Sequence, residues 1–158
     1  MEIRIGELTN KSVVSLLEEH HQDMLLHSPP ESVHALDLSA LAHKDITFWS
    51  VWHNNELAGC GALKHLDAFH GEIKSMRTSN NFLRQGVAKL LLEHMISQAS
   101  SRGYKKLSLE TGTMEAFKPA QKLYQQLGFK VCQPFSGYQE DPYSTFMSKT
   151  IDSINLNT

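Results

Sequence analysis

The pentapeptide Arg84-Gln85-Gly86-Val87-Ala88 stands between a strand-like stretch and a helical one, and its residue types suit anion binding. A helix N-terminus carries unpaired N–H groups and the positive end of the helix dipole, which together hold a phosphate. Gly86 and Ala88 are small enough for a bulky phosphate to approach the main chain. Arg84 adds a planar donor fork and Lys89 a second positive charge. The same residues also fit an ordinary helix start whose small side chains pack on a sheet. Neither GxGxxG nor GxxxxGK[ST] occurs, which disfavours dinucleotide-binding and P-loop folds.

Other reactive residue types are plentiful but poorly spaced. Of nine histidines, His20 and His21 diverge by about 100° on a helix, so with His27 they do not form a metal spacing. His43, His53, His65 and His70 fall in loops and turns and are expected to be surface imidazoles; no metal site is expected. Cys60, between Gly59 and Gly61, is expected to be a small buried thiol rather than a nucleophile.

The elements that must position these groups follow from periodicity. Ile3 and Ile5 alternate with Glu2 and Arg4 as in a half-buried strand. Thr9 or Asn10 caps a helix carrying Val13, Leu16, Leu17, Met24 and Leu25, which Ser28-Pro29-Pro30 ends. A short apolar helix is expected over 35–41. Residues 46–52 and 57–63 flank the turn signal His53-Asn54-Asn55 and form a hairpin. A strand follows over 71–78, and then a helix over 85–102 with Val87, Leu90, Leu91, Met95 and Ala99 on one face and Gly103 at its C′ position. A strand over 105–110, a helix over 115–127 ended by Gly128, and strands over 129–132 and 145–151 complete the order β-α-α-β-β-β-α-β-α-β-β. Interleaving of this kind argues an α/β fold with a mixed sheet, and any parallel crossover around the 85–102 helix is right-handed. Trp49 and Trp52 fall on opposite faces of their strand.

Length and charge set the outer limits. At 158 residues, one domain over 1–151 with a short polar tail over 152–158 is expected. Lys and Arg number 15 against 17 Asp and Glu, for a net charge of −2, which argues against a general nucleic-acid binder. No apolar run reaches the ~20 residues of a membrane span. No export signal is evident, and two cysteines make no disulfide framework, so a cytoplasmic location is expected.

Two motifs together resemble the GNAT superfamily of acyl-CoA-dependent N-acetyltransferases. The frame Leu83-Arg84-Gln85-Gly86-Val87-Ala88 resembles that family's Gln/Arg-x-x-Gly-x-Gly/Ala phosphate loop, with Leu83 in place of the usual Gln or Arg. Ala120-Gln121-Lys122-Leu123-Tyr124-Gln125-Gln126-Leu127-Gly128-Phe129 resembles its A-x-x-L-Y-x-x-x-G-F signature. Phe117 stands where many members carry an Asn that meets the pantetheine. The motifs lie about thirty residues apart with a strand between, and the resemblance extends over roughly 2–151. It implies a GNAT-like, mostly antiparallel sheet whose central strands splay apart, flanked by helices. Met76, Arg77 and Thr78 then offer backbone hydrogen bonds to the pantetheine arm. Arg84, Gln85, Gly86, Val87, Ala88 and Lys89 hold the pyrophosphate.

The implied reaction moves an acetyl group from acetyl-CoA to a primary amine of a small molecule, directly and in a ternary complex. An aliphatic amine of pKa ~10 is almost fully protonated at neutral pH, so a base or water relay must deprotonate it. The tetrahedral intermediate needs an oxyanion donor, which the backbone N–H near Met76 or Arg77 can provide. The departing thiolate needs an acid. The resemblance assigns that acid to Tyr124. It offers Glu72 as base, fourteen residues before Gly86, with Glu110 as rival and an ion pair between Glu72 and Lys74 as the alternative reading. Asp37, Glu72 and Glu110 near the acceptor end would favour a cationic group, and one of the tryptophans could line that pocket. A protein or peptide acetyltransferase and a non-catalytic acyl-CoA sensor are the alternative functions. A homodimer through strand 46–52 or the final strand is possible on family grounds.

Overall fold

The computed structural model describes residues 1–33 and 37–152. Seven strands, β1 (Glu2–Ile5), β2 (Ile46–His53), β3 (Glu56–Asp67), β4 (His70–Thr78), β5 (Lys106–Gly112), β6 (Lys130–Val131) and β7 (Ser144–Thr150), form one sheet in the order β1-β2-β3-β4-β5-β7-β6. Every neighbouring pair is antiparallel except β4 and β5. Four helices accompany it: α1 (Lys11–His27), α2 (Leu38–Leu41), α3 (Val87–Ser101) and α4 (Lys118–Gln126). The mixed α/β architecture expected from the sequence is the one observed. No helix among the described residues is long and apolar enough to cross a membrane.

Alternation along the strands divides the apolar side chains between two faces. Trp49, Val51, Leu63, Ile73, Leu107 and Leu109 join Val87, Leu91, Leu92, Met95 and Ala99 of α3 in one core. Phe48, Trp52, Leu57, Cys60 and Ala62 join Val13, Leu16 and Leu17 of α1, with Leu41 of α2, in the other. Trp49 and Trp52 are both core residues, one on each face. Asn10 begins α1 by accepting from the amides of Ser12 and Val13.

Several boundaries differ from those expected. The short helix over 35–41 is observed only as Leu38–Leu41, and residues 34–36 lie outside the described residues. The tail beyond Asp152 lies outside them as well. Residues 115–127 are not one helix. A 3-10 turn over Glu115–Phe117 precedes α4, and Pro119, which cannot donate a helical N–H, sits in the first turn of the latter. α3 begins at Val87 rather than at residue 85, because Arg84 and Gly86 are left-handed, with φ of 62° and 81°. On that helix Leu92, which the expected stripe leaves out, is fully buried, whereas Leu90, which it includes, is 37% exposed.

β2 lies between β1 and β3, so the aromatic strand 46–52 has both edges paired. β7 is paired along one edge with β5 and at Met147 and Ser148 with β6 on the other.

Candidate active site

The site is built on a break in the sheet. β4 pairs with β5 only from His70↔Lys106 to Ile73↔Leu109, although β5 continues to Gly112 and β4 to Thr78. Past Ile73 the two strands splay, leaving that edge of β4 without a strand partner. On its other edge β4 carries a bulge. Cys60 pairs with Arg77 and Ala62 with Lys74, so Ser75 and Met76 together oppose Gly61. Ser75 takes a left-handed φ of 56°, the turn of main chain that admits the extra residue. Gly61 makes this possible, since a Cβ there would come within 2.5 Å of Met76 Sδ and 2.8 Å of Met95 Cε. Met76, Arg77 and Thr78 thus lie on the stretch of β4 beside the splay. The Arg77 side chain points to α1, where it bonds Asp23 Oδ2 at 2.7 Å and Glu19 Oε1 at 2.8 Å.

At the far end of β4, a 3-10 turn over Asn80–Phe82 leads into α3. Buried Phe82 anchors this turn, while Leu83 is 53% exposed. No side chain caps α3. A Cβ at Gly86 would have nothing within 4 Å, so it is the backbone conformation, not crowding, that calls for glycine. Gln85 Nε2 donates to Asn81 O at 3.2 Å, bracing the loop. Lys89 faces Glu93 at 4.0 Å on an exposed surface. Residues 84–89 therefore present first-turn amides without a side-chain partner beneath flanking cations, an arrangement that fits a pyrophosphate.

The near end of β4 is lined by side chains. A cavity of about 110 Å³ in the splay is bounded by His20, Glu72, Lys74, Ser75, Met76, Glu110, Phe117 and Tyr124, among others. Glu72 is 2% exposed. Its Oε2 accepts from Lys74 Nζ at 3.1 Å and from Tyr138 Oη at 2.7 Å. The ion pair with Lys74 weighed from the sequence is present, since residues i and i+2 share a strand face. Glu110 lies at the splayed end of β5 and lines the same cavity. A second cavity of about 530 Å³ adjoins the first, sharing Glu72 and Lys74, and is lined by loop residues Ser136 to Asp141.

Tyr124 reaches the same cavity from α4. Phe129 packs edge-on to its ring with centroids 5.8 Å apart, and α4 is tied to β5 by Gln121 Nε2 donating to Gly112 O at 2.6 Å. Burial pushes the Tyr124 phenol up to about 12, so it remains protonated throughout the neutral range. Phe117 lies over Gly112, where any Cβ would fall inside its ring. The glycine is what lets an aromatic residue occupy that position.

Tyr124, Glu72 and Glu110 are therefore brought to one cavity, and the 76–78 and 84–89 segments to one side of it. Asp37 is not. Its carboxylate caps α2, accepting from Ala40 N and Ser39 Oγ at 2.8 Å each, because four helical residues expose donors that a nearby Asp satisfies. Of the histidines expected to be surface imidazoles, His43, His53 and His65 are exposed and His70 is half-buried. His65 and His70 lie in strands and bond Tyr104 Oη and Ser108 Oγ, each at 2.6 Å. His20 borders the cavity with a covered Nδ1 that has no partner, and burial aided by the Arg77 charge lowers it to about 4. Cys60 is buried, its thiol pushed up to about 12 by desolvation. No group of three His, Cys, Asp or Glu residues suited to a metal occurs among the described residues.

Sequence reasoning missed Tyr138. Its only local signal is Ser136-Gly137, whose left-handed pair (φ 49° and 82°) makes a tight turn. Nothing in residues 132–143 announces that the turn closes over Glu72.

Comparison with known proteins agrees with this geometry. The model of the acetyltransferase (GNAT) family matches residues 12–129. The uncharacterized N-acetyltransferase YsnE of Bacillus subtilis is 59% identical over 151 residues, covering 96% of this chain and 100% of its own. The uncharacterized N-acetyltransferase YedL of Escherichia coli is 50% identical over 153 residues, covering 97% and 96%. A solved Klebsiella pneumoniae structure assigned as an acyl-CoA N-acyltransferase superposes with a TM-score of 0.78 at 26% identity, covering 96% of this chain and 97% of that one.

Proposed function

The chain belongs to the GNAT family as an acyl-CoA-dependent N-acetyltransferase, and from that premise we propose that it moves an acetyl group from acetyl-CoA to the primary amine of a small molecule. The observation that carries the acceptor class is the enclosure of Glu72. Its carboxylate is buried at the boundary of two cavities, with Tyr138 of the 136–141 loop bonded to it. A protein surface needs an open groove, whereas a small amine can be enclosed.

A bound acyl-CoA supplies the acetyl group as a thioester. The amides of residues 84–89, with Arg84 and Lys89, hold the pyrophosphate, and the free edge of β4 at Met76, Arg77 and Thr78 aligns the pantetheine. Backbone N–H groups at the bulge face the carbonyl oxygen on which negative charge develops. Glu72 accepts one proton from the acceptor ammonium, leaving the nitrogen lone pair to form the C–N bond as the C–S bond breaks. Tyr124 donates a hydrogen bond to the departing sulfur. A phenol near 12 is too weak an acid to hand its proton fully to a thiolate whose conjugate acid lies at about 8.5. The proton that ends on sulfur therefore comes from the acylated nitrogen. Net, an ammonium and a thioester give an amide, a thiol and one proton. Glu110 adds negative charge beside the acceptor.

Titration with acetyl-CoA followed by free-thiol release over a panel of amines and peptides tests the reading. Turnover on small amines is expected. Binding without turnover across the panel would sink it, and turnover confined to peptides would replace it with the peptide reading.

A further inference from the structure

The loop between β6 and β7 sets one oxygen of Glu72 with unusual completeness. Tyr138 Oη donates to Glu72 Oε2 at 2.7 Å; Lys74 Nζ donates to the same oxygen at 3.1 Å and to Tyr138 Oη at 2.8 Å. The three groups close a triangle, and the Lys74 ammonium lies 5.5 Å from the Tyr138 ring centre. Neither bond falls on Oε1. Burial and the Glu72 charge both raise the Tyr138 phenol far above its ordinary range, so it is a donor.

The phenol is itself fixed from several sides. Tyr138 N bonds Phe135 O at 3.0 Å across the Ser136-Gly137 turn. The Phe135 ring packs on Tyr138, on Phe146 of β7 and on His70 of β4. Farther along, Asp141 Oδ2 takes the Ser32 hydroxyl at 2.6 Å. The loop is thereby pinned to β4 through His70, to β7 through Phe146 and to the segment before α2 through Ser32.

We propose that Tyr138 and Lys74 are positioning residues for acetyl transfer, holding Oε2 of Glu72 so that Oε1 alone is presented to the acceptor amine. The proposal rests on Glu72 being the base. A carboxylate on three rotatable bonds would otherwise sample orientations that miss the amine, and a misplacement of about 1 Å costs up to ~100-fold in rate. The groups facing Glu72 are Lys74 and His70 from β4, Lys64 opposite it on β3, Glu110 from β5 and Tyr138 from the loop. Among the described residues, Lys74 and Tyr138 are the two that bond its side chain.

The experiment is a double-mutant cycle on the full chain, with kcat and both KM values measured for an amine that the wild type acetylates. Tyr138→Phe, which keeps the ring and its packing, is expected to lower kcat about 10–100-fold while KM for acetyl-CoA stays within twofold. Lys74→Met should do the same and Lys74→Arg should restore most of the loss. In a Glu72→Gln background, Tyr138→Phe should cost less than twofold more, because its effect passes through Glu72. A Tyr138→Phe kcat within twofold of wild type, or an equal loss in both backgrounds, overturns the proposal while leaving Glu72 as base. A Glu72→Gln enzyme as fast as wild type overturns both readings. An unchanged melting temperature in Tyr138→Phe excludes unfolding as the source of the loss.

Discussion

In the function proposed, the two ends of β4 bind by opposite means. From Glu72 to Thr78 the strand spans roughly 20 Å. Its far end, continued through residues 84–89, offers main-chain amides, a glycine held at φ 81° and two exposed cations. Its near end is a cluster of side chains drawn from α1, β4, β5, α4 and the β6–β7 loop. A main-chain site recognises a shape common to every acyl-CoA, so few residue identities matter. A side-chain site must match one acceptor, so nearly every identity matters. The charge also differs. At the far end Arg84 stands on an exposed loop, whereas at the near end Lys74 is spent inside the cavity on Glu72. The small net charge thus conceals a basic end and an end where a buried pair is already neutralised.

The comparison is broken most severely at Glu72. Glu72→Gln keeps the shape and removes the proton acceptor, and should lower kcat about 10²–10⁴-fold, the usual span for a general base. Steady-state rates with acetyl-CoA saturating would show it, with KM for acetyl-CoA little changed. If kcat holds, Glu72 is not the base, and a water relay or Glu110 must do the deprotonation.

Tyr124→Phe comes next. Removing one hydrogen-bond donor from a developing thiolate should cost about 10–100-fold in kcat, equivalent to ~1.5–3 kcal/mol. Thiol-release kinetics at several pH values measure it. A kcat within about twofold of wild type would make Tyr124 a packing residue against Phe129.

At the far end the effect should be smaller and fall on a different constant. Gly86→Val forces a β-branched residue into the left-handed region at a cost of roughly 1–2 kcal/mol. Space is not the obstacle there. KM for acetyl-CoA should rise about tenfold while kcat at saturation is retained. A raised kcat effect with unchanged KM would mean that the pyrophosphate does not rest on this loop, and the contrast between the ends would collapse.

The same contrast explains what could be read in advance. Main-chain binding writes itself as local spacing, so Gly86 and Ala88 ahead of an amphipathic helix were legible, as were the order of elements along the chain and the two faces of Trp49 and Trp52. The start of α3 was misplaced by two residues because a left-handed Arg84 has no residue-type signal comparable to that of a glycine. Side-chain clusters leave no such trace. Tyr138 lies 66 positions from Glu72, and the turn that brings it back is visible only as Ser-Gly. Asp37 failed for the converse reason. A carboxylate next to a short helix is more strongly drawn to the helix's own amides than to a distant cavity. His20 looked like surface because α1 carries polar residues around it, while its contact with the splay depends on how α1 lies across β4.

That position gives His20 a signature separate from catalysis. Burial is the largest cause that lowers it to about 4, and the charge of Arg77 on β4 acts in the same direction; His21 adds to this, and Asp23 opposes it. An unfolded chain returns the imidazole to about 6.5. Between these values the unfolded state binds more protons, so stability rises with pH across the window of about 4 to 6.5 and falls as pH drops through it. The ring is half-buried overall, which moderates the size. Replacing it by His20→Gln should flatten the fall in melting temperature between pH 6.5 and pH 4.5 by roughly 2–4 °C, about 1 kcal/mol for a domain of this length. His70 and His94, also lowered by burial, keep their own share of the slope in both proteins. An identical slope in wild type and His20→Gln would show that the ring is hydrated in solution. The acceptor cavity would then be open on its α1 side, and the enclosure from which the small-amine acceptor was argued would rest on the Tyr138 loop alone.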